Sequence, residues 1–177
     1  PLGHDRLLAD RGIGRAAAHR EVVADHDDLL VERIRAAGAV FVGKTNVPVG
    51  LADWQSYNEI YGTTNNPYDL GRTPGGSSGG SSAALAAGYG ALSLGSDIGG
   101  SLRVPGFHCG IYAHKPTFAL LPSRGHTPPP LPPLPFDRDL SVIGPMARGA
   151  ADLALAVPHR GQRRGGDRRL LEIIIAG

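Results

Sequence analysis

The sequence predicts a layered α/β domain from three observations. Helical patterns alternate with short apolar runs rich in β-branched residues, as in α/β layered domains. Two glycine- and serine-rich corners lie between these segments, flanked by apolar patterns and not by linker-like sequence. The chain has 177 residues, 41% of them apolar, which is enough for one domain with a sizeable core.

The first periodic segment predicts a helix over residues 27–37. The acidic run at residues 25–28 can cap this helix and suits the positive end of its dipole. Gly38 supplies a left-handed stop. The Ala-Val-Phe-Val run at residues 39–42 then predicts a short strand, buried on both faces of a sheet.

The next stretch, residues 46–70, contains turn-forming Pro and Asn-Asn-Pro sequences and is predicted to be mostly loop, with one short helix near residues 51–54. We expect its aromatic side chains to pack and pin the loop; they are Trp54, Tyr57, Tyr61 and Tyr68. Further along we predict helices at residues 81–87 and 150–157, buried strands at 91–94 and 141–145, and a stiff Pro-rich surface connection at 128–135.

Charge and cysteine content narrow the class of protein. The net charge of +2 comes from 18 basic and 16 acidic residues, a balance that does not indicate a nucleic-acid partner. The single cysteine, Cys109, excludes an internal disulfide and suits a reducing compartment. No apolar run reaches membrane-spanning length and no leader pattern opens the chain. The sequence is therefore interpreted as a soluble cytoplasmic protein without nucleic-acid or membrane partners.

Two familiar motifs match by letter, and neither has the structural context it requires. Residues 38–45 fit the phosphate-loop pattern G-x-x-x-x-G-K-[ST], but the residues between the glycines are predicted to form the strand itself. Lys44 is then a strand-end residue. Residues 75–79 fit the hydrolase elbow G-x-S-x-G, yet a loop and not a strand precedes Ser77.

The two corners themselves carry the chemistry. The first corner reads Gly-Gly-Ser-Ser-Gly-Gly-Ser-Ser at residues 75–82, and the second runs from Gly95 through Gly-Gly-Ser at 99–101 to Pro105. Glycine allows backbone N–H groups to converge on a concave site, where they can stabilise negative charge beside a hydroxyl. A nucleophilic oxygen and convergent amides are the equipment of acyl transfer.

These corners, together with Cys109-Gly110, the His-Lys-Pro-Thr sequence at residues 114–117 and the Gly-Lys-Thr-Asn sequence at 43–46, resemble the amidase signature family of amide hydrolases. The resemblance runs over about residues 25–157, with residues 1–24 a low-order stretch and 158–177 an Arg/Gly-rich tail unlike the family. It implies a mixed central sheet covered by helices, here an incomplete domain. It also implies hydrolysis of a small-molecule amide through a serine acyl-enzyme, without a metal or other cofactor.

Site residues follow from the same resemblance. It implies that Ser101 is the nucleophile and that Ser77, 24 positions earlier, is the bridging serine whose peptide bond is cis. The backbone N–H groups of Ile98, Gly99, Gly100 and Ser101 would form the oxyanion hole. Asp97 and Arg103 flank the nucleophile, and we expect them to hold the loop through an ion pair.

The chain departs from the family in one catalytic position. The resemblance places the family's terminal base, a lysine, ahead of the first helix, and this sequence has only Lys44 and Lys115, both at other family positions. The family's C-terminal portion has no counterpart either. The activity of this chain is thus left open between an amidase, a catalytically inactive amidase remnant, and the amidase component of a tRNA-dependent amidotransferase. The substrate and the oligomeric state are not readable from the sequence.

Overall fold

The computed structural model describes residues 27–121, 126, 139–157 and the backbone of 172–176. Its centre is a five-stranded sheet in the order β1-β7-β4-β6-β5. The five strands of this sheet are β1 (Val40–Thr45), β4 (Leu92–Asp97), β5 (Tyr112–Ala113), β6 (Val142–Ala147) and β7 (Glu172–Ala176). β7 runs parallel to β1 and β4, whereas β6 is antiparallel to β4 and β5, so the sheet is mixed.

Helices cover both faces of this sheet. On one face α1 (Leu29–Ala36) and α4 (Ala150–Ala156) lie over Leu92, Leu94 and Ile143, and on the other α2 (Gly79–Ala86) packs Leu85 against Met146. Because alternate residues of a strand point to opposite faces, neighbouring positions of β6 serve both layers. The predicted α/β fold with a mixed, helix-covered sheet is confirmed.

The first helix follows its predicted capping. The Asp28 side chain accepts a hydrogen bond from the Leu30 N–H at 2.7 Å, and Gly38 beyond the helix has φ +88°. β1 then runs through Gly43 to Thr45. Since residues 38–45 contain the strand itself, they do not form a phosphate-binding loop, and Lys44 is a strand-end residue as predicted.

The expectation that β1 is buried on both faces is wrong. β1 is an edge strand of the described sheet, paired with β7 alone, and Val40 and Val42 are 47% and 52% exposed. Continuous apolar sequence is typical of buried parallel strands, but it does not distinguish a central strand from one at the edge.

The loop at residues 46–70 differs from its prediction in two respects. A 3-10 turn at Val49–Leu51 replaces the short helix at residues 51–54, and β2 (Tyr57–Asn58) pairs with β3 (Gly62–Thr63) in a small antiparallel hairpin. The packing role predicted for the loop aromatics is also wrong, because these side chains are 45–72% exposed; they are Tyr57, Trp54, Tyr61 and Tyr68. Polar contacts hold the loop instead: the Asn46 side chain donates to the Gly62 carbonyl at 3.0 Å and Asn58 to the Val47 carbonyl at 3.0 Å.

Three elements were not predicted. α3 (Arg103–His108) contains Pro105 in its first turn, a position where proline is tolerated because its nitrogen has no intrahelical acceptor to lose. β5 has only two residues, and β7 lies in the Arg/Gly-rich tail. The predicted Pro-rich connection at 128–135 and the opening residues 1–24 lie outside the described residues. No helix in the described part is long and apolar enough to cross a membrane.

Candidate active site

The second corner is a turn that joins the end of β4 to α3, and Asp97 organises it. The Asp97 side chain is fully buried, and its two carboxylate oxygens accept hydrogen bonds from the N–H groups of Gly100 at 3.0 Å and Leu102 at 3.1 Å. Gly100 has φ +119°, and a Cβ there would lie 2.9 Å from Val104 Cγ2. The turn therefore requires glycine at this position and a carboxylate beneath it.

Two cations neutralise this buried carboxylate. Arg103 donates from Nε and Nη2 at 3.0 Å each, which confirms the predicted ion pair, and Lys115 Nζ lies 2.9 Å from Oδ1. Burial by itself raises the pKa of Asp97, but the hydrogen bonds from Arg103 and Lys115, then those from Leu102 and Gly100, outweigh it and hold the pKa well below the usual range for Asp. Asp97 is consequently ionised at all ordinary pH values.

The Lys115 amine is fully occupied by this corner. Besides the Asp97 carboxylate, its Nζ donates to the Asp97 carbonyl at 2.8 Å and to the Leu140 carbonyl at 2.7 Å. Three donors thus meet three oxygens, which is the full capacity of an ammonium group. Lys115 ties the end of β4 to the residues that precede β6.

The N–H groups of the turn divide into two sets. Within the described ranges, those of Ile98, Gly99 and Ser101 have no hydrogen-bond acceptor. The Gly100 N–H, in contrast, is donated to Asp97. The expected four-residue oxyanion hole is therefore corrected to a candidate set of three donors, because the carboxylate that shapes the turn takes the fourth.

The first corner lies against the second at two points. The Ser78 N–H donates to the Ser101 carbonyl at 3.1 Å. At Gly75, which has φ +84°, a Cβ would lie only 2.7 Å from Pro105 Cα in α3. The Gly76–Ser77 peptide bond is cis, and Ser77 and Ser101 are 2% and 7% exposed. The fold thus brings both predicted serines to one buried junction of the two corners.

Sequence reasoning missed the support beneath the first corner. Ser56 is completely buried, and its hydroxyl contacts the backbone of Gly75, Ser77 and Gly79. Nothing in the local sequence distinguishes this serine from its neighbours in a polar loop. The only signal was indirect: Gly79 and Gly80 begin a helix, where glycine is unfavourable unless another chain segment approaches closely.

The comparisons with known proteins agree with this geometry. The family model described as Amidase matches residues 16–164. The chain belongs to the amidase signature family. It is 47% identical over 130 residues to AtzE of Pseudomonas sp. (strain ADP), which belongs to 1-carboxybiuret hydrolase, covering 73% of this chain and 27% of that protein. It is 45% identical over 158 residues to a glutamyl-tRNA(Gln) amidotransferase component of Chromohalobacter salexigens, covering 88% and 31%.

Solved structures give the same assignment. A bacterial aryl acylamidase of the amidase signature family superposes with a TM-score of 0.70 at 28% identity, covering 90% of this chain and 33% of the other. The 6-aminohexanoate cyclic dimer hydrolase superposes with a TM-score of 0.67 at 37% identity, covering 83% and 31%. This amidase signature chain spans about a third of the length of the curated relatives it matches.

Proposed function

We propose that this chain carries the nucleophile and the oxyanion donors of a serine amide hydrolase that acts on a small carboxamide. The observation that supports this most directly is the junction of the two corners, where the Ser78 N–H meets the Ser101 carbonyl at 3.1 Å. It brings two buried serines beside three N–H groups that have no acceptor within the described residues. This combination suits acyl transfer.

The proposed reaction has two stages. Ser101 Oγ attacks the amide carbonyl carbon while its proton passes to Ser77 Oγ, and the developing oxyanion accepts hydrogen bonds from the N–H groups of Ile98, Gly99 and Ser101. The C–N bond then breaks, Ser77 returns a proton to the leaving amine, and an acyl ester on Ser101 remains. Water hydrolyses that ester to the carboxylic acid and restores the Ser101 hydroxyl.

Ser77 can relay a proton only if a base takes it further. Lys115 does not suit this role, because Asp97 and Leu140 occupy its three N–H groups. No lysine precedes Lys44 in this sequence, although the family resemblance places its base there. Loss of a catalytic triad member can lower turnover by about a millionfold. We therefore expect acylation by a reactive probe to be far easier to detect than turnover of an unactivated amide.

Labelling with a fluorophosphonate probe tests the proposal. We expect the purified protein to be labelled at Ser101, with labelling abolished in Ser101→Ala and slowed at least about tenfold in Ser77→Ala, because the relay is lost. Ser96→Ala is the matched control: Ser96 lies on β4, pairs with Ile143 and takes no part in the proposed reaction. Labelling that persists in Ser101→Ala, or no labelling of a sample with cooperative thermal unfolding, contradicts the proposal; the second result favours a catalytically inactive remnant.

A second candidate function comes from the relatives. Several of them, at 38–45% identity, are components of glutamyl-tRNA(Gln) amidotransferases. If this chain belongs to such an assembly, its preferred amide is the side-chain carboxamide of glutamine and its activity depends on a partner protein. Comparing glutamine with an aryl anilide as competitor of Ser101 labelling separates the two functions, since only the amidotransferase function predicts protection by glutamine.

A further inference from the structure

The first corner rests on a floor formed by residues 53–56, and the two backbones are in close contact. A Cβ at Gly76 would lie 2.7 Å from the Asp53 carbonyl oxygen, 2.8 Å from the Trp54 carbonyl carbon and 2.9 Å from the Gln55 nitrogen. Side-chain volume cannot enter such a contact. The position of the corner is consequently set by the floor directly below it.

Ser56 supplies the polar contacts of that floor. Its Oγ lies 3.2 Å from the Gly75 carbonyl and 3.2 Å from the Ser77 carbonyl, the two acceptors on either side of Gly76. The same oxygen accepts the Gly79 N–H at 3.0 Å, one of the N-terminal helix donors that lack an intrahelical partner. One hydroxyl thus connects the corner on both sides of Gly76 to the first turn of α2.

The backbone of Ser56 is held independently of its hydroxyl. Its carbonyl accepts the Thr64 N–H at 2.9 Å and the Asn46 side-chain amide at 3.4 Å. The floor is therefore anchored to the β2–β3 hairpin region from below. Removing the hydroxyl leaves these anchors in place and releases only the corner above.

We propose that Ser56 is a positioning residue, which holds Ser77 in the orientation needed for proton transfer with Ser101. This inference rests on the proposed function. The Ser101 side of the junction is fixed by Asp97 through Gly100 and Leu102, so the hydroxyl of Ser56 is the corresponding fixed point on the Ser77 side. Small displacements of reacting groups are costly, with about 1 Å costing up to about a hundredfold in rate.

The test compares three variants by the rate constant of fluorophosphonate labelling at Ser101 across pH 6–10 and by amide hydrogen exchange at Gly79. We expect Ser56→Ala to slow labelling about ten- to hundredfold and to speed Gly79 exchange. Ser56→Thr keeps the hydroxyl and should restore labelling to within about threefold of wild type by that same criterion. Ser82→Ala is the matched control, since Ser82 is also fully buried in α2 but its hydroxyl contacts Met146 Sδ at 3.6 Å.

The outcomes separate this inference from the proposed function. Wild-type labelling rates in Ser56→Ala, or an equal slowing in Ser82→Ala, overturn the positioning role while Ser101 remains the nucleophile. Failure of the wild-type protein to label refutes the proposed function and this inference with it. If Ser56→Ala does not fold, Ser56→Cys, with a similar shape and a weaker donor, takes its place: slowed labelling supports the role, and an unchanged rate refutes it.

Discussion

Replacing Asp97 by Asn tests whether a buried carboxylate holds the second corner. Oδ1 accepts from Gly100, Arg103 and Lys115, while Oδ2 accepts from Leu102 and Arg103. An Asn amide must therefore turn its NH2 group toward donors in either orientation. Breaking a buried ion pair costs about 3–5 kcal/mol, and the 56% exposure of the Arg103 side chain reduces its share. We expect Asp97→Asn to lower the free energy of unfolding by about 3 kcal/mol at pH 7.

The pH dependence of this loss has a defined sign. Because the pKa of Asp97 is lowered in the folded protein, the unfolded chain binds more protons at acid pH, and the stability from Asp97 is present above about pH 4 and lost below it. Asp97→Asn lacks this contribution at every pH. The difference in unfolding free energy between wild type and variant should therefore narrow from pH 7 to pH 3, as measured by urea denaturation followed by circular dichroism.

Asp69→Asn provides the matched control for this measurement. Asp69 also pairs with an arginine, Arg72 Nε at 2.9 Å, but the two side chains are 52% and 78% exposed. Exposed pairs of this kind contribute about 0.2–1 kcal/mol. Equal losses in Asp97→Asn and Asp69→Asn, or a difference as large at pH 3 as at pH 7, would refute the assignment of Asp97 as the buried anchor of the turn.

Two further predictions concern single sites. Gly75→Ala should destabilise the protein by about 1–3 kcal/mol more than Gly38→Ala in urea denaturation, because both glycines have φ near +85° but only the Gly75 Cβ would meet Pro105, at 2.7 Å; equal losses contradict the contact. Burial raises the pKa of Cys109 to about 11, so iodoacetamide at pH 8 should modify the native protein at least about a hundredfold more slowly than the urea-unfolded one, and similar rates contradict that burial.

Local patterns predicted the elements whose determinants lie within a few residues. The helix that begins after Asp28 and ends before Gly38 is such a case, because its cap and its stop both lie in the adjacent sequence. β1 shows the limit of this reasoning: its apolar run predicted a strand, but its edge position depends on which strands pair with it. α3 was missed because Pro105, considered alone, argues against a helix.

The candidate site divides in the same way. The family resemblance identified Ser77 and Ser101, and the structure brings the two corners together through the Ser78–Ser101 backbone hydrogen bond. The resemblance could not show that Gly100 gives its N–H to Asp97, since that depends on the path of the turn and not on residue type. The role of Ser56 was equally hidden, because its partners lie 19 to 23 positions away.

The glycines of the first corner serve close packing, which argues against the flexible-linker interpretation of this sequence. Gly79 and Gly80 start α2 directly on the floor, where a Cβ would collide with the Ser56 hydroxyl and with the Asn46 backbone. All residues of α2 up to Ala83 are buried, and Ser81 bonds Thr45 in β1 at 2.7 Å. A linker would leave such residues in solvent. Small side chains here bring backbone to backbone, so the orientation of Ser77 is set by contacts that almost any larger residue would break.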